Sequence, residues 1–221
     1  MKAMILAAGR GERMRPHTDS VPKPLLAVGG KPLIVWLIES LAAAGIRDLV
    51  VNHAHLGARI EDALGDGRRF AVEIRYSREA EALETAGGIA NALPLLGGSP
   101  FIVVNGDIFC DFDFATLAAR SLGPHLAHLV LIDNPPHHPE GDFALEDGQV
   151  LESGTPRWTF SGIGLYRPEL FADIRPGAKG QLAPLLRAGM AHKRITGEVH
   201  RGIWHDVGTP ARLSALNERV A

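Results

Sequence analysis

Residues 4–16 read MILAAGRGERMRP, an apolar run that breaks into two glycines, Gly9 and Gly11, and three arginines, Arg10, Arg13 and Arg15. Glycines let backbone amides turn toward an anion, and guanidinium groups supply the charge to hold it. The small Ala7 and Ala8 ahead of Gly9 would let a flat base lie close to the backbone. The pattern points to a bound phosphate. It is not a dinucleotide fingerprint, because Met14 fills the third glycine position, nor a Walker loop, because no Gly-Lys-Ser/Thr follows. Arg13 and Lys23 are the charges aimed at the phosphate, with Pro22 and Pro24 stiffening the chain on either side of Lys23.

Two carboxylates stand at the ends of apolar runs far apart in the chain. FIVVN (101–105) runs into Gly106-Asp107, and GIW (202–204) runs into His205-Asp206. Meeting over a sheet, they would offer oxygens to a Mg²⁺ that keeps its other positions for water and phosphate. Taken singly, each aspartate is as good a cap for the turn or helix that follows. With the anion loop as a third member, the metal reading is favoured. No Gly-x-Ser-x-Gly, no thiol with a histidine and no carboxylate dyad at close spacing is present. A reaction without a protein base suits a nucleophile that is already ionised, such as a sugar phosphate meeting a nucleoside triphosphate. The protein's task is then positioning and charge neutralisation. Each cation–phosphate pair at ~4 Å is worth up to roughly 4 kcal/mol before desolvation.

The elements that must position these groups follow from the hydrophobic pattern. Short aliphatic runs at 3–7, 48–52, 72–76, 101–105 and 126–132 have strand length. Helical patterns lie between them at 32–44, opened by Pro32 and closed by Gly45, and at 56–64, 88–96 and 114–121. That alternation predicts an α/β fold with a doubly wound, mostly parallel, Rossmann-like sheet. After about residue 135 the rhythm turns to hairpins: Asp147-Gly148 between extended runs, WTFSGIGLY (158–166), and two short strands within EVHRGIWHDVG, before a closing helix at 210–220. The expectation is one continuous domain over 1–221, with a nucleotide-binding half to about 134 and a mixed half that walls off a second substrate.

The bulk numbers agree with this. The chain has 221 residues, 46% hydrophobic and 22% charged, with a net charge of −2, which gives no reason to expect nucleic acid or a membrane surface as partner. No run approaches transmembrane length, and the apolar stretch at 3–8 is too short for a signal segment. The single cysteine, Cys110, excludes an internal disulfide, reads as core and makes the cytoplasm the default location. Neither His53-x-His55 nor His137-His138 has a third ligand at a zinc spacing. Trp36 reads as core, whereas Trp158 and Trp204 suit either core packing or a sugar face.

LAAGRGERMRP with PKPLL (22–26), VNGD (104–107) and WHDVGT (204–209) resembles the nucleotide-diphospho-sugar pyrophosphorylases, in the family's order. The resemblance implies the nucleotidyltransferase fold and transfer of a nucleotidyl group to a sugar 1-phosphate with release of pyrophosphate. It implies that Leu6, Ala7, Ala8, Gly9, Gly11 and Glu12 bind the nucleotide. Arg13 would stabilise the transferring phosphorus, Lys23 contact the phosphates, and Asp107 and Asp206 bind Mg²⁺. NHAHLG, LETAGGI, HHPEGDF, TFSGIGLY and LAPLLR look like the bacterial N-acetylmuramate-1-phosphate uridylyltransferases of cell-wall (peptidoglycan) recycling. On that likeness Glu79 and the Gly87–Gly88 backbone face the base, while Glu84, Thr85, Asn105, Asp142 and the Ser161–Gly162 strand line the sugar pocket. Read alone, ETAGG is an ordinary helix N-terminus with a capping threonine.

The chain departs from the family at three places. Glu12 and His17 stand where most relatives carry threonine and leucine. SGTPRW (153–158) replaces a Glu-x-Lys-Pro segment, so that Arg157 or Lys179 would have to meet the sugar phosphate. Gln181 replaces a lysine before LAPLL. A Glu79 carboxylate accepts from uracil N3–H or from the Watson–Crick edge of guanine. Mannose-1-phosphate guanylyltransferase is therefore the enzyme alternative, but those relatives carry glycine where Glu84 stands, which favours UTP. A non-catalytic regulatory subunit would be expected to lose Arg13, Lys23 or an aspartate, and a nicotinamide oxidoreductase lacks its third glycine here. The expected state is a monomer or small homo-oligomer.

Overall fold

The computed structural model describes residues 1–220. Its first half runs β1 (Lys2–Leu6), the phosphate-loop candidate, α1 (His17–Ser20), a small hairpin β2 (Ala27–Val28) and β3 (Lys31–Pro32), then α2 (Leu33–Ala43), β4 (Asp48–His53) and α3 (Gly57–Leu64). It continues with β5 (Glu73–Arg78), α4 (Glu84–Leu96), β6 (Phe101–Asn105), β7 (Ile108–Cys110), α5 (Phe114–Ala118) and β8 (Ala127–Ile132). The remainder is β9 (Phe143–Glu146), β10 (Gln149–Leu151), β11 (Arg157–Tyr166), α6 (Leu182–Ala191), β12 (Ile195–His200), β13 (Trp204–Asp206) and α7 (Pro210–Val220).

Nine strands form one sheet in the order β5-β4-β1-β6-β11-β8-β12-β10-β9. The pairing directions leave seven strands running one way, with only β11 and β10 against them. Alternation along β1 explains the double winding. Ala3 and Ile5 join the cluster built with Ile34, Leu37, Ile38 and Leu41 of α2. Met4 points the other way, into the cluster with Ile89 and Ala90 of α4 and Leu186 and Met190 of α6. Strands covered on both faces need no polar side, so the centres of β1, β4 and β6 (AMIL, LVV and FIVV) are unbroken apolar runs. Helix α2 stops where Gly45 takes φ +80°.

In the second half, β9 and β10 turn at Asp147-Gly148, both left-handed, as the sequence predicts. Strand β9 also pairs with the start of β11, so β11, β8, β12, β10 and β9 close on themselves. Two expectations shift. Helix α4 begins at Glu84 rather than Gly88, because the Gly180 carbonyl accepts from the free first-turn N–H groups of Ala86 and Gly87. Strand β13 lies outside the main sheet and pairs antiparallel with β7 in a two-stranded ribbon. A third cluster, Met14, Leu26, Val28, Leu33, Val207 and Leu216, fastens α7 and the loop after β1 to the β2–β3 hairpin.

Candidate active site

Gly11 takes φ +69°, and a Cβ there would stand 3.0 Å from Thr18 Cγ2 and 3.3 Å from Lys23 Cβ. Only glycine suits that position. The short helical turn that follows buries Met14 completely and leaves Arg13 outward. The Thr18 hydroxyl donates to the Gly11 carbonyl at 2.8 Å and ties the far side of the loop to its start.

The loop's cations are divided between those tied into the frame and one left without a partner among the described residues. Arg10 donates to the Thr18 carbonyl at 3.0 Å and to Asp19 at 3.2 Å, and it meets His55. Arg15 pairs with Asp19 at 2.9 Å. Glu12 lies between them, 3.5 Å from Arg10 and 3.7 Å from Arg15, so this carboxylate is neutralised by framework arginines. Arg13 has no hydrogen-bond or ion-pair partner among the described residues. Lys23, on a turn between the two prolines, reaches the Asp107 carboxylate.

Asp107 is placed by backbone geometry. The Gly106 N–H donates to the Leu6 carbonyl at 2.8 Å, and a Cβ on Gly106 would come within 2.6 Å of that oxygen. The turn after β6 is thereby pressed against the end of β1. Asp206 arrives on the ribbon: it stands opposite Ile108, and the Val207 N–H donates to the Asp107 carbonyl at 2.8 Å. The backbones of the two aspartates are brought side by side by the β7–β13 ribbon rather than at the ends of two strands of the main sheet, while their carboxylates have different partners and line different cavities. Asp206 pairs with Arg212 of α7 and lies 3.2 Å from His137 Nε2. No group of three His, Cys, Asp or Glu side chains that could hold a metal by themselves occurs among the described residues.

A cleft of ≈380 Å³ opens over these loops. Of the residues singled out in the sequence, Leu6, Ala7, Ala8, Gly9, Gly11, Glu12, Arg13, Lys23, Glu84, Thr85, Asn105 and Asp107 line it. A second cavity of ≈850 Å³ lies beyond Arg13, which borders both, and holds Asp206, His205 and Trp204. Burial, and then the nearby Arg219 charge, lower the His205 pKa against the opposing pull of Asp206.

Other expected site residues face elsewhere. Ser161 is 1% exposed; its hydroxyl donates to the Val130 carbonyl at 2.6 Å, so its side chain serves the β-bulge of β11 and not a pocket. Gly162, at φ +82°, carries that bulge past Asn105, where a Cβ would sit 2.5 Å from the Asn105 Nδ2. Asp142 accepts from the Phe160 N–H at 2.8 Å and lies 3.1 Å from His138 Nε2. Arg157 donates to the Asp142 carbonyl at 2.6 Å. Lys179 pairs with Glu81 at 2.8 Å, which raises its pKa. Gln181 precedes α6.

Glu79 is 8% exposed and accepts from Asn52 Nδ2 at 2.7 Å and from the Leu83 N–H at 2.9 Å. Gly88 packs against that pair, and a Cβ on Gly87 would strike the Ala178 carbonyl at 2.4 Å. Asn52, Ala82, Gly106 and Gly208 line the cleft as well, without having been singled out. The sign for Asn52 was available: a polar amide closing an aliphatic strand that must be buried.

The chain is similar to known proteins over nearly its whole length. The chain is 58% identical over 220 residues to the N-acetylmuramate alpha-1-phosphate uridylyltransferase of Neisseria meningitidis, covering 96% of this chain and 95% of that protein. It is 34% identical to the protein of the same name from Caulobacter vibrioides, covering 99% and 96%. A solved chain from Bacillus anthracis superposes with a TM-score of 0.87 at 24% identity, covering 100% of this chain and 95% of that one. HddC from Yersinia pseudotuberculosis, in complex with GMP-PN, gives 0.80 at 22%, covering 100% and 99%. The nucleotidyl transferase family profile matches residues 2–145. A family profile over most of the chain and near-full-length relatives at up to 58% identity show that the chain belongs to the nucleotidyl transferases.

Proposed function

We propose that the chain transfers a uridylyl group from UTP to N-acetylmuramate α-1-phosphate, giving the UDP-sugar and pyrophosphate. The observation that carries this is the cleft itself: Gly9, Gly11, Arg13, Lys23 and Asp107 converge on it, and no nucleophile–base pair is among its lining residues. The sugar phosphate oxygen is already anionic. It attacks the α-phosphorus, one P–O bond forms, and the bond to the β-phosphate oxygen breaks, with its electron pair leaving on pyrophosphate. The loop amides hold the triphosphate, and Arg13 meets the charge that builds during transfer. Lys23, poised on Asp107, shares its ammonium with the phosphates. The near-full-length likeness to two uridylyltransferases supports UTP and the muramate sugar over GTP and mannose 1-phosphate.

Members of this family work with a divalent cation, and the donor set here fits Mg²⁺. Asp107 and Asp206 supply hard carboxylate oxygens and no sulfur or imidazole cage encloses them, which suits an ion that takes one or two carboxylates and fills its shell with water and phosphate. In the described structure Lys23 and Arg212 neutralise the two carboxylates. The bound ion would add charge neutralisation at the phosphates. The continuous nine-stranded sheet supports reading residues 1–221 as one domain, and no described helix is long and apolar enough to cross a membrane. Its lone cysteine supports a reducing, cytoplasmic setting.

The test is pyrophosphate release in Mg²⁺ over a grid of UTP, dTTP, GTP and CTP against the 1-phosphates of N-acetylmuramate, N-acetylglucosamine, glucose and mannose. Turnover confined to UTP with the muramate sugar is the expected result. Turnover with GTP and mannose 1-phosphate would overturn the substrate assignment, and silence across the grid would overturn the enzymatic one.

A further inference from the structure

The floor of the cleft contains a chain of hydrogen bonds in which every direction is fixed. The Ala7 N–H, at the end of β1 where the phosphate loop begins, donates to Asn52 Oδ1 at 2.9 Å. Asn52 Nδ2 then donates to Glu79 Oε1 at 2.7 Å, and the Leu83 N–H donates to Glu79 Oε2 at 2.9 Å. Asn52 is 2% exposed and Glu79 8%, so water is not at hand to substitute for a missing partner.

Both ends of this chain are backbone N–H groups, which can only donate. Ala7 therefore forces the Asn52 oxygen toward β1 and its NH₂ toward Glu79. Residue 79 must accept twice, from that NH₂ and from Leu83, and among side chains of this length only a carboxylate offers two acceptor oxygens and no donor. Gly88 supports the same arrangement, since a Cβ there would lie 2.8 Å from Asn52 Nδ2 and 2.9 Å from Glu79 Oε1. Helix α4 can press on the pair only because position 88 has no side chain.

We infer that Glu79 is a positioning residue, which fixes Ala7 and the start of the phosphate loop through Asn52, rather than the group that reads the edge of the nucleobase. Each of its oxygens already accepts a hydrogen bond from the protein, the residue is only 8% exposed, and Asn52 rather than Glu79 is among the residues that line the cleft. The inference rests on reading the cleft as the nucleotide site, and it assigns discrimination between bases to groups other than this carboxylate.

Donor–acceptor polarity gives a test that does not depend on deletion. Glu79→Gln places an NH₂ against either Asn52 Nδ2 or the Leu83 N–H, both donors. Asn52→Asp alone sets two carboxylates face to face. The double substitution restores every pairing: Ala7 N–H to one Asp oxygen, the Gln NH₂ to the other, and Leu83 N–H to the Gln oxygen, with the net charge of the pair unchanged.

Glu79→Gln is expected to raise the KM for UTP about tenfold and lower Tm by about 5 °C, while the UTP:CTP preference stays within about twofold. The double variant is expected to return KM and Tm to within about twofold and about 2 °C of the parent protein. A shift of tenfold or more toward CTP in Glu79→Gln, whose amide would then be donating to cytosine N3, overturns the inference. So does a double variant that regains neither fold nor KM. Hydrogen exchange at the Ala7 and Leu83 amides is read in parallel without nucleotide. Protection should be lost in Glu79→Gln and regained in the double variant; unchanged protection in Glu79→Gln overturns the network. If the parent protein itself fails to turn over UTP, the functional reading falls, and the exchange data still decide the role of Glu79.

Discussion

Arg13→Ala offers the sharpest separation of catalysis from folding. Arg10 and Arg15 are spent on Thr18, His55, Asp19 and Glu12, and Lys23 is engaged with Asp107. Arg13 makes none of these bonds and borders both cavities. Removing it breaks no pairing among the described residues, so stability should change by no more than about 0.5 kcal/mol, or about 1–2 °C in Tm. On the proposed reaction its work is on the substrate. A guanidinium ~4 Å from a phosphate oxygen at an effective dielectric near 20 is worth about 4 kcal/mol before desolvation. A donor aimed at developing charge contributes roughly 2.7–4 kcal/mol to the barrier. The expected loss is therefore about 10²- to 10³-fold in kcat/KM, read by continuous pyrophosphate release beside a thermal melt. Lys23→Ala should differ, losing activity and also leaving Asp107 without its cation. Activity of Arg13→Ala within about threefold of the parent, or a Tm lowered by more than about 5 °C, would refute this division of labour.

Three further outcomes follow from local geometry. Gly162→Ala, at φ +82° with its new Cβ 2.5 Å from Asn105 Nδ2, should cost about 1–3 kcal/mol in urea unfolding and displace Asn105, raising the KM for the sugar phosphate. Cys110, whose pKa burial pushes from 9.0 to about 11, should be alkylated by iodoacetamide at pH 8 roughly 100-fold more slowly than an ordinary protein thiol; rapid modification would contradict its burial. The Glu61 pKa is lowered from 4.5, first by its hydrogen bond with Arg78 and then by His53, against the opposing effect of burial. Because its folded pKa lies below the unfolded value, its stabilisation is complete above about pH 4.5 and is lost as pH falls through the folded pKa. Melts of Glu61→Gln should accordingly show a shallower acid dependence below that pH.

The loop after β1 stood out as a candidate because its pattern is local: glycines, cations and bracing prolines fall within twenty residues. The alternating sheet was legible from the aliphatic runs, and the Asp147-Gly148 turn from its φ requirements. Tertiary pairing was not. Nothing in GIWHD shows that it leaves the main sheet for a ribbon with residues 108–110, because three-residue strands carry too little periodicity. Nor does Ser161 announce that its hydroxyl turns to Val130, since a bulge inverts the facing of the residues around it. Arg212 and His137 reach Asp206 across long stretches of chain, and only the folded arrangement reveals that contact.

The β7–β13 ribbon also fixes an order of assembly. One carboxylate is delivered at residue 107, whereas its companion is delivered at residue 206 by a strand that can pair only with one already in place. A chain emerging from the ribosome would hold its glycine loop, its lysine and its first aspartate long before the second. The proposed site would then come together as a late, long-range closure, whose loop entropy the small cluster of Met14, Val207 and Leu216 helps to offset. Damage to that cluster, though it touches no substrate, should disarm the molecule by leaving it folded around half a site.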